Sequence, residues 1–292
     1  MYAPQKQKMR QKDIETSILL QNNTPLDDFC GLSPNQMYAL IYDTFSEQPP
    51  VILKDKVSDQ VLSQIPFFNL TEHLFQIIER DNFIKLTAKG ALPRNVLHEL
   101  YDLKLITEEI FESGISKLTK EMDSVVLNTL HINSVLSKIV KHEKGKLIFS
   151  KFGRDLMGRQ NRLELFKHLF QTFTQVFNWG FNDAYPASDA VQKCWPFTIY
   201  LFLKEKGSSF KDISYYAGKN LIAFPHIKQF IEPDIYEDSE SYFTNWYFVR
   251  TIYRFTDWFN LTEYAEKPTI SILKNSRVRK TAILGDLFYL NE

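Results

Sequence analysis

Three polar side chains between His98 and Asp102 have a spacing that a metal site could use. His98, Glu99 and Asp102 place an imidazole and a carboxylate one helical turn apart, and both groups are common zinc ligands. The second histidine of the H-E-x-x-H zinc motif is missing, because an aspartate stands at position 102. A solvated helix face is therefore the favoured interpretation, and no metal ligand is assigned.

Other catalytic patterns are also missing from the sequence. His131, His142 and His168 lie near acidic residues, but no pattern places a nucleophile beside them, so we interpret them as structural. The sequence lacks glycine-rich phosphate loops, the G-x-S-x-G turn and paired C-x-x-C ligands, and it has only 10 glycines in 292 residues. We predict no catalytic residue and no cofactor. An enzyme built from residues scattered along the chain would escape such patterns.

The clearest electrostatic feature is a basic stretch at residues 138–167. It holds nine lysines and arginines against three acidic residues, whereas the whole chain balances 35 basic against 35 acidic residues. Basic side chains bind phosphates and release counterions, so this stretch is a candidate nucleic-acid-binding surface. The alternative is a solvated helix face that acidic loops balance elsewhere. The candidate residues are Lys138, Lys141, Lys144, Lys146, Lys151 and Arg154.

The elements that would position this surface recur in the same order along the chain. An apolar stripe at helical spacing covers residues 69–78, a second covers 135–140, and a third follows at 248–259. Each stripe precedes a short segment rich in β-branched or aromatic residues. We predict strands there, near 83–87, 146–150 and 269–273.

In the first two copies a hydroxyl residue and a glycine follow the strand at one spacing, Thr87 with Gly90 and Ser150 with Gly153. A hydroxyl can cap the next turn, and glycine accepts backbone angles closed to other residues. We therefore expect the two glycines at equivalent turns, with positive φ or with neighbours too close for a Cβ. The arrangement resembles the end of a winged-helix module, in which the strand belongs to the wing.

The composition and these patterns predict a mainly α protein of the α+β class, with short β-hairpins and repeated winged-helix-like modules. Strands should hold well under a quarter of the residues. The 44% hydrophobic and 14% aromatic content suits a packed core, and the length favours two or three modules. Predicted modules are a flexible basic tail at 1–26, winged-helix-like modules at 27–110 and 111–165, and an aromatic-rich helical module at 166–292.

Several short motifs resemble those of a set of uncharacterised bacterial proteins. The chain has an S-P-x-Q-M start at residues 33–37 and an L-T-x-K-G-x-L-P element at 86–93, and residues 254–261 and 278–281 are also similar. The resemblance implies a shared architecture. It carries over no catalytic residue, because no activity is established for that set.

The leading hypothesis is a non-enzymatic protein that binds a macromolecular partner, either protein or nucleic acid, on a winged-helix-like scaffold. The alternative is an enzyme of unknown class with a site in the aromatic-rich C-terminal half. We expect a cytoplasmic location and no membrane contact, because no signal-like segment occurs and no apolar run approaches the roughly 20 residues that span a bilayer. The two cysteines, Cys30 and Cys194, are interpreted as reduced and buried.

Overall fold

The chain is built mainly of helices, with a few short antiparallel strands, which confirms the predicted fold class. The structure is a computed structural model that describes residues 3–46, 48–181, 183–207, 209–231, 238–266 and 276–291, with side chains from Asp13 onward. Its strands are two to four residues long, as expected for a chain in which strands hold well under a quarter of the residues.

The α-helices are α1 (Ala3–Asn23), α2 (Pro34–Tyr42), α3 (Asp59–Leu62), α4 (Pro66–Asp81), α5 (Arg94–Tyr101), α6 (Glu109–Glu112), α7 (Val125–Leu136), α8 (Lys151–Gly158), α9 (Arg162–Gln175), α10 (Ala190–Lys193), α11 (Trp195–Lys204), α12 (Ile213–Ala223), α13 (Ser239–Tyr247) and α14 (Ala282–Leu287). A π-helix, Phe248–Thr256, continues α13. Short 3-10 turns are Asp27–Phe29, Glu121–Asp123 and Pro225–Phe230. The strands are β1 (Val51–Leu53), β2 (Ile84–Lys85), β3 (Val140–Glu143), β4 (Lys146–Phe149), β5 (Lys211–Asp212), β6 (Thr262–Tyr264), β7 (Arg277–Lys280) and β8 (Phe288–Leu290).

Local signals in the sequence set several helix starts. Ser33 caps α2 in a reciprocal capping box with Gln36, and Pro34 occupies the first helical turn. The apolar stripe predicted at residues 69–78 is the buried face of α4. The apolar stripe at 135–140 predicted one helical face. This prediction was wrong, because α7 ends at Leu136 and β3 begins at Val140.

The predicted basic tail at residues 1–26 instead contains α1. Alanine, glutamine, lysine and glutamate favour helix even where no apolar stripe binds the helix to a core. The tail was predicted from its polar, basic composition, which does not exclude a helix. From Asp13 to Asn23 the side chains of α1 are almost all exposed.

Two of the three predicted strands are confirmed, as β2 and β4. The third, near 269–273, lies outside the described residues. Strands β2, β4 and β3 form one antiparallel sheet in that spatial order, and β5, β7 and β6 form a second with the same order. β1 pairs with β8. The division of modules at residue 110 stays a prediction, although β2 and β4 pair across it.

The two three-stranded sheets belong to two units with the same order of elements. The N-terminal unit (66–149) runs α4, β2, α5, α7, β3, β4, with the short helix α6 inserted before α7. The C-terminal unit (195–280) runs α11, β5, α12, α13, β6, β7, and α13 is extended by the π-helix. In each unit the first strand pairs with the third, which also pairs with the second.

The hydrogen bonds around the last helix of each unit repeat as well. Lys138 has a φ of +62°, and its carbonyl accepts a hydrogen bond from the Ser150 hydroxyl at 2.6 Å. The Ser150 N–H donates to the carbonyl of Ile139 at 2.9 Å. Asn260, Leu261 and Thr281 make the same contacts in the C-terminal unit. The true repeat therefore relates the second and third predicted copies, while the first and second copies are parts of one unit.

Gly90 and Gly153 each meet one of the two expected conditions, but they are not at equivalent turns. Gly90 has a φ of +77° and donates its N–H to the carbonyl of Thr87 at 2.9 Å, which closes a turn before α5. Gly153 lies in the first turn of α8, where a Cβ would stand 2.0 Å from the carbonyl oxygen of Ile139. The first glycine is required by its backbone angle, the second by close packing.

We expect Gly90→Ala to lower the free energy of unfolding by about 1–2 kcal/mol, the cost of a left-handed backbone for an L-residue. Steric overlap adds little, since the nearest atoms to a Cβ belong to the His142 ring at 3.9 Å. Urea denaturation measures the change. Gly218→Ala, inside α12 with open space around it, is the control and should be neutral or stabilising. Equal effects of the two substitutions would contradict the assignment.

Helix α9 packs between the two units and supplies the centre of the core. Phe166 meets the ring of Phe68 from α4 with centroids 5.4 Å apart. Phe170 meets Trp195 from α11 at 5.4 Å and Phe259 at 5.2 Å. The phenylalanine stripe of α9 was predicted to be core, and it is. The N-terminal unit is thereby fixed to the C-terminal unit through aromatic contacts.

Candidate nucleic-acid interface

A two-residue turn at Lys144 and Gly145 joins β3 to β4, forming the basic hairpin (residues 140–149). Both turn residues have positive φ, of 50° and 74°, which suits the right-handed twist of a hairpin. Lys141, Lys144 and Lys146 are all exposed on it. The hairpin is therefore a narrow projection that carries three lysines.

The other three predicted residues flank this hairpin. Lys138 immediately precedes it, and Lys151 and Arg154 lie in the first turn of α8, directly after it; all three are exposed. Arg154 is turned toward the hairpin, because its Nη1 donates to the carbonyl of Phe149 at 2.8 Å. The fold thus gathers the six predicted residues along one hairpin and the helix that follows it.

One acidic residue, Glu143, lies within this basic group. A hydrogen bond from the Lys141 ammonium lowers the pKa of Glu143 below its ordinary value, and the charges of Lys144 and Arg154 lower it further. These influences show that three of the six cations lie near the same carboxylate. The group retains a net positive charge after Glu143 is counted.

The rest of the basic stretch is neutralised by ion pairs. Arg162 binds Glu72 with an N to O distance of 2.6 Å, Lys167 binds Asp55 at 2.6 Å, and Arg159 binds Glu164. The net charge counted along residues 138–167 therefore overstates the field of that surface. The positive potential is concentrated at the hairpin and the start of α8.

Lys85 belongs to the same surface, although the sequence analysis missed it. Strand β2 pairs with β4 so that the exposed Lys85 lies directly opposite Lys146. Lys146 also places its Nζ 3.7 Å from the centroid of the Phe83 ring. Like charges directly opposite each other destabilise a sheet. On the other side of β4, Glu143 lies directly opposite Lys146 and offsets part of that repulsion.

The helix before the basic hairpin is not available for reading bases. In α7 the buried residues include both apolar and polar side chains: Val126, Leu127, Asn128, Thr129, Leu130, His131, Asn133 and Ser134. Its start is covered as well, because the buried Glu108 accepts hydrogen bonds from the Ser124 hydroxyl and the Val125 N–H. A helix packed on nearly every side cannot enter a DNA groove. The base-reading helix of a winged-helix module is therefore not exposed in this unit.

Residues 98–102 do not form a metal site in the structure. His98 accepts a hydrogen bond from Nε of Arg94 at 3.2 Å, and Glu99 binds Arg80 at 2.8 Å. Across the part of the chain that the structure describes, no group of three histidine, cysteine, aspartate or glutamate side chains is placed to hold a metal ion.

Of the three histidines that the sequence analysis interpreted as structural, two are connected to each other and to Glu121. The carboxylate of Glu121 lies 3.0 Å from Nδ1 of His131, and Nε2 of His131 lies 2.9 Å from Nε2 of His142. His168 is separate, with its Nε2 2.7 Å from the carbonyl of Ser137. The prediction that these histidines are structural considered each histidine separately. It missed that Glu121, His131 and His142 are connected.

The aromatic-rich C-terminal half contains a groove of about 830 Å³, bordered in part by Tyr42, Asn178 and Trp195. Gln192 lies in its wall, but its amide is occupied by the Thr174 and Phe177 carbonyls and the Trp179 N–H. No histidine or cysteine is among the described residues that line the groove. The groove therefore gives no specific support to the enzyme alternative.

The cysteines differ in their surroundings. Cys194 is buried, donates to the carbonyl of Ala190, and has its pKa raised by burial. Cys30 is half-buried, with its Sγ 3.6 Å from Nζ of Lys219. The expected burial is therefore confirmed for Cys194, whereas Cys30 is only partly buried.

Residues 63–162 match the family model of the Y4jL N-terminal domain, which is uncharacterised. The match spans about a third of the chain and encloses the N-terminal unit, α8 and all six predicted basic residues. It includes the L-T-x-K-G-x-L-P element but not the S-P-x-Q-M start. No curated protein and no solved structure matches the chain. None of the described helices is long and apolar enough to cross a membrane.

Proposed function

We propose that the chain is a non-enzymatic macromolecule-binding protein whose N-terminal unit is a winged-helix-like module with the basic hairpin as its wing. The observation that carries the proposal is the gathering of six exposed cations on and beside one hairpin, with Lys85 placed opposite Lys146. The order of elements and the spatial order β2, β4, β3 fit such a module. The family match over 63–162 supports treating this span as one module.

The ligand that best fits this surface is the phosphate backbone of a nucleic acid. Lysine and arginine side chains on a narrow hairpin neutralise phosphates and release counterions, whatever the base sequence. Because α7 is buried, this helix is not presented to base edges. Binding should therefore be electrostatic, salt-sensitive and nearly independent of sequence.

Among the described residues of the C-terminal sheet, two basic side chains are engaged in ion pairs. In β7 the guanidinium of Arg279 binds Glu263 of β6 at 2.7 Å and lies over the ring of Phe210. Lys211 of β5 is paired with Glu205. We therefore base the binding proposal on the hairpin of the N-terminal unit.

A protein partner is the second candidate, and one observation favours it. Apolar side chains of α1 and α2 are exposed together near the start of the chain: Ile14, Ile18, Leu19, Leu20, Tyr38 and Tyr42. Exposed apolar groups at this density mark contact surfaces in many proteins. This surface is separate from the basic hairpin in sequence, so the two candidates can be tested by different variants.

The test is fluorescence anisotropy with a labelled DNA duplex at several salt concentrations. Replacing Lys144, Lys146 and Lys151 together with glutamate should weaken binding to all sequences alike. The slope of log affinity against log salt should become shallower by about 0.9 for each phosphate that the variant no longer neutralises.

The control carries the same charge change elsewhere, with Lys117, Lys206 and Lys228, all exposed, replaced by glutamate. It should keep most of the affinity and the full salt slope. Absence of binding by the unaltered protein at low salt, or equal losses in the two triple variants, would refute the hairpin as a binding surface. The protein-partner candidate would then take its place.

A further inference from the structure

A continuous chain of polar contacts connects the basic hairpin to the interior of the N-terminal unit. Glu121 precedes α7, His131 lies in the middle of α7, and His142 lies on β3 of the hairpin. Glu121 and His131 are both buried, whereas His142 reaches the surface. The imidazole of His142 therefore connects β3 of the hairpin to α7 through a side-chain hydrogen bond, in addition to the pairing of β4 with β2.

The partners of Glu121 fix the roles of both rings. Its two oxygens accept from the Leu92 N–H, from the amide of Asn128 at 2.8 Å and from Nδ1 of His131. A carboxylate that accepts several hydrogen bonds is held in its charged form. His131 therefore donates through Nδ1, and when neutral its Nε2 accepts a hydrogen bond from the Nε2–H of His142.

This arrangement tolerates one extra proton on the pair of rings but not two. With one excess proton, a single N–H still lies between the two Nε2 atoms, which are 2.9 Å apart. With both rings protonated, two N–H groups and two positive charges would face each other over that distance. The hydrogen bond between the two rings must then break, because neither ring can accept.

The charged surroundings of His142 add to this effect. On the side of the module's interior, the His142 ring faces His131, and Glu121 lies beyond His131. The turn before α5 brings Gly90, the neighbour of the exposed Lys89, close to the His142 ring. Its own strand carries Lys141 and Glu143, and β4 carries the exposed Lys146. Burial lowers the pKa of His142 below its ordinary value, the charge of His131 lowers it further, and Glu121 opposes the change only in part.

We propose that Glu121, His131 and His142 form a proton-sensitive latch that holds the basic hairpin against α7 at neutral pH and releases it in acid. Release requires the pair of rings to take up a second proton. The hairpin would then lose its imidazole contact with α7 and be held by its strand pairing to β2 and by the buried side chains of Val140 and Leu147. The inference goes beyond the proposed function and does not depend on it.

The direction of the pH dependence follows from linkage. In the released state His142 should titrate near its ordinary pKa of 6.5, and in the latched state below it. Between those two values, each unit of pH decrease should raise the released fraction by about tenfold. Burial alone would raise the pKa of Glu121, but its contacts with His131 lower it overall, so protonation of Glu121 weakens the latch further at lower pH.

The test is amide hydrogen exchange of residues 140–149 in the full chain without nucleic acid, between pH 7.5 and pH 5, corrected for the intrinsic rate. Protection of the hairpin should fall about tenfold per pH unit once the pH is below the ordinary histidine pKa, while α9 stays protected. In His142→Gln this pH dependence should be lost. His226→Gln, which changes an exposed histidine in the C-terminal unit, should behave like the unaltered protein.

A pH-independent hairpin in the unaltered protein, or an unchanged pH dependence in His142→Gln, would overturn the latch. If His142→Gln does not fold, NMR titration of the unaltered protein decides the question. The ring of His142 and the amides of β3 should then titrate together, below the pKa of an exposed histidine. Separate midpoints, or a His142 ring that titrates normally, would equally overturn it. Because no nucleic acid is present, failure of the latch leaves the binding proposal intact.

Discussion

Asp183→Ala is expected to lower the free energy of unfolding by about 3–5 kcal/mol, because it leaves a buried guanidinium without its counter-ion. The side chains of Arg250 and Asp183 are 0% and 3% exposed, and two N–H groups of Arg250 donate to the two carboxylate oxygens at 2.8 Å. Urea or thermal unfolding measures the loss.

The surroundings of Arg250 explain why the effect should be large. Its remaining N–H groups donate to the carbonyls of Ser188 and Pro186 at 2.9 Å, so one side chain of the π-helix fixes the loop before α10. Gly180 approaches so closely that a Cβ there would lie 2.8 Å from Nη2 of Arg250. Removal of the carboxylate therefore leaves a closely packed guanidinium with carbonyl partners but without its bidentate counter-ion.

A surface ion pair near the same loop provides the control. Lys193 binds Asp189 at 2.8 Å, but both side chains are more than half exposed. Exposed pairs contribute about 0–1 kcal/mol, so Asp189→Ala should change the stability little. Similar losses in Asp183→Ala and Asp189→Ala would show that the buried pair is not the anchor inferred from its geometry.

Replacing both partners, as in Asp183→Leu with Arg250→Met, should recover only part of the loss. Exchange of a buried ion pair for apolar residues is often neutral, since no charge is left behind. Here Arg254, whose Nη1 lies 3.5 Å from Asp183, would lose this counter-ion. The carbonyls of Ser188 and Pro186 would also be left without their donor, and an unsatisfied buried group costs about 1–3 kcal/mol. Full recovery would contradict the role assigned to these carbonyl contacts.

Structural elements that depend on a few adjacent residues could be predicted from the sequence. The Ser33-Pro34 start of α2, the buried stripe of α4 and the strands near 83–87 and 146–150 all depend on local spacing or capping. The phenylalanine stripe of α9 was correct for the same reason. Prediction failed where local periodicity continues past the end of an element, as it does from α7 into β3.

Contacts between distant parts of the chain could not be predicted in the same way. The pairing of β2 with β4 brings Lys85 beside Lys146, and it also shows that two predicted copies belong to one unit. The bond between Asp183 and Arg250, and the connection from Glu121 to His142, likewise depend on tertiary packing. The six basic residues were found because they lie close together in sequence around a single hairpin.

Gly153→Ala should also destabilise the protein, by about 1–3 kcal/mol or somewhat more, through overpacking of a site that has no space. The added Cβ would lie 2.0 Å from the carbonyl oxygen of Ile139 and 2.8 Å from its carbonyl carbon. Backbone atoms cannot rotate away as a flexible side chain can. The first turn of α8 must therefore move off the segment that leads into β3.

Helix propensity acts in the opposite direction, and a second glycine of the same helix separates the two effects. Alanine is favoured over glycine inside a helix by about 0.5–1 kcal/mol. At Gly158, the last residue of α8, no atom lies within 4 Å of an added Cβ, so Gly158→Ala should be neutral or stabilising. Urea denaturation of both variants gives the comparison. A Gly153→Ala protein as stable as Gly158→Ala would contradict the close approach of α8 to Ile139.

If the prediction holds, the movement of α8 should also displace Lys151 and Arg154 from the basic hairpin, and any affinity for duplex DNA should fall with stability.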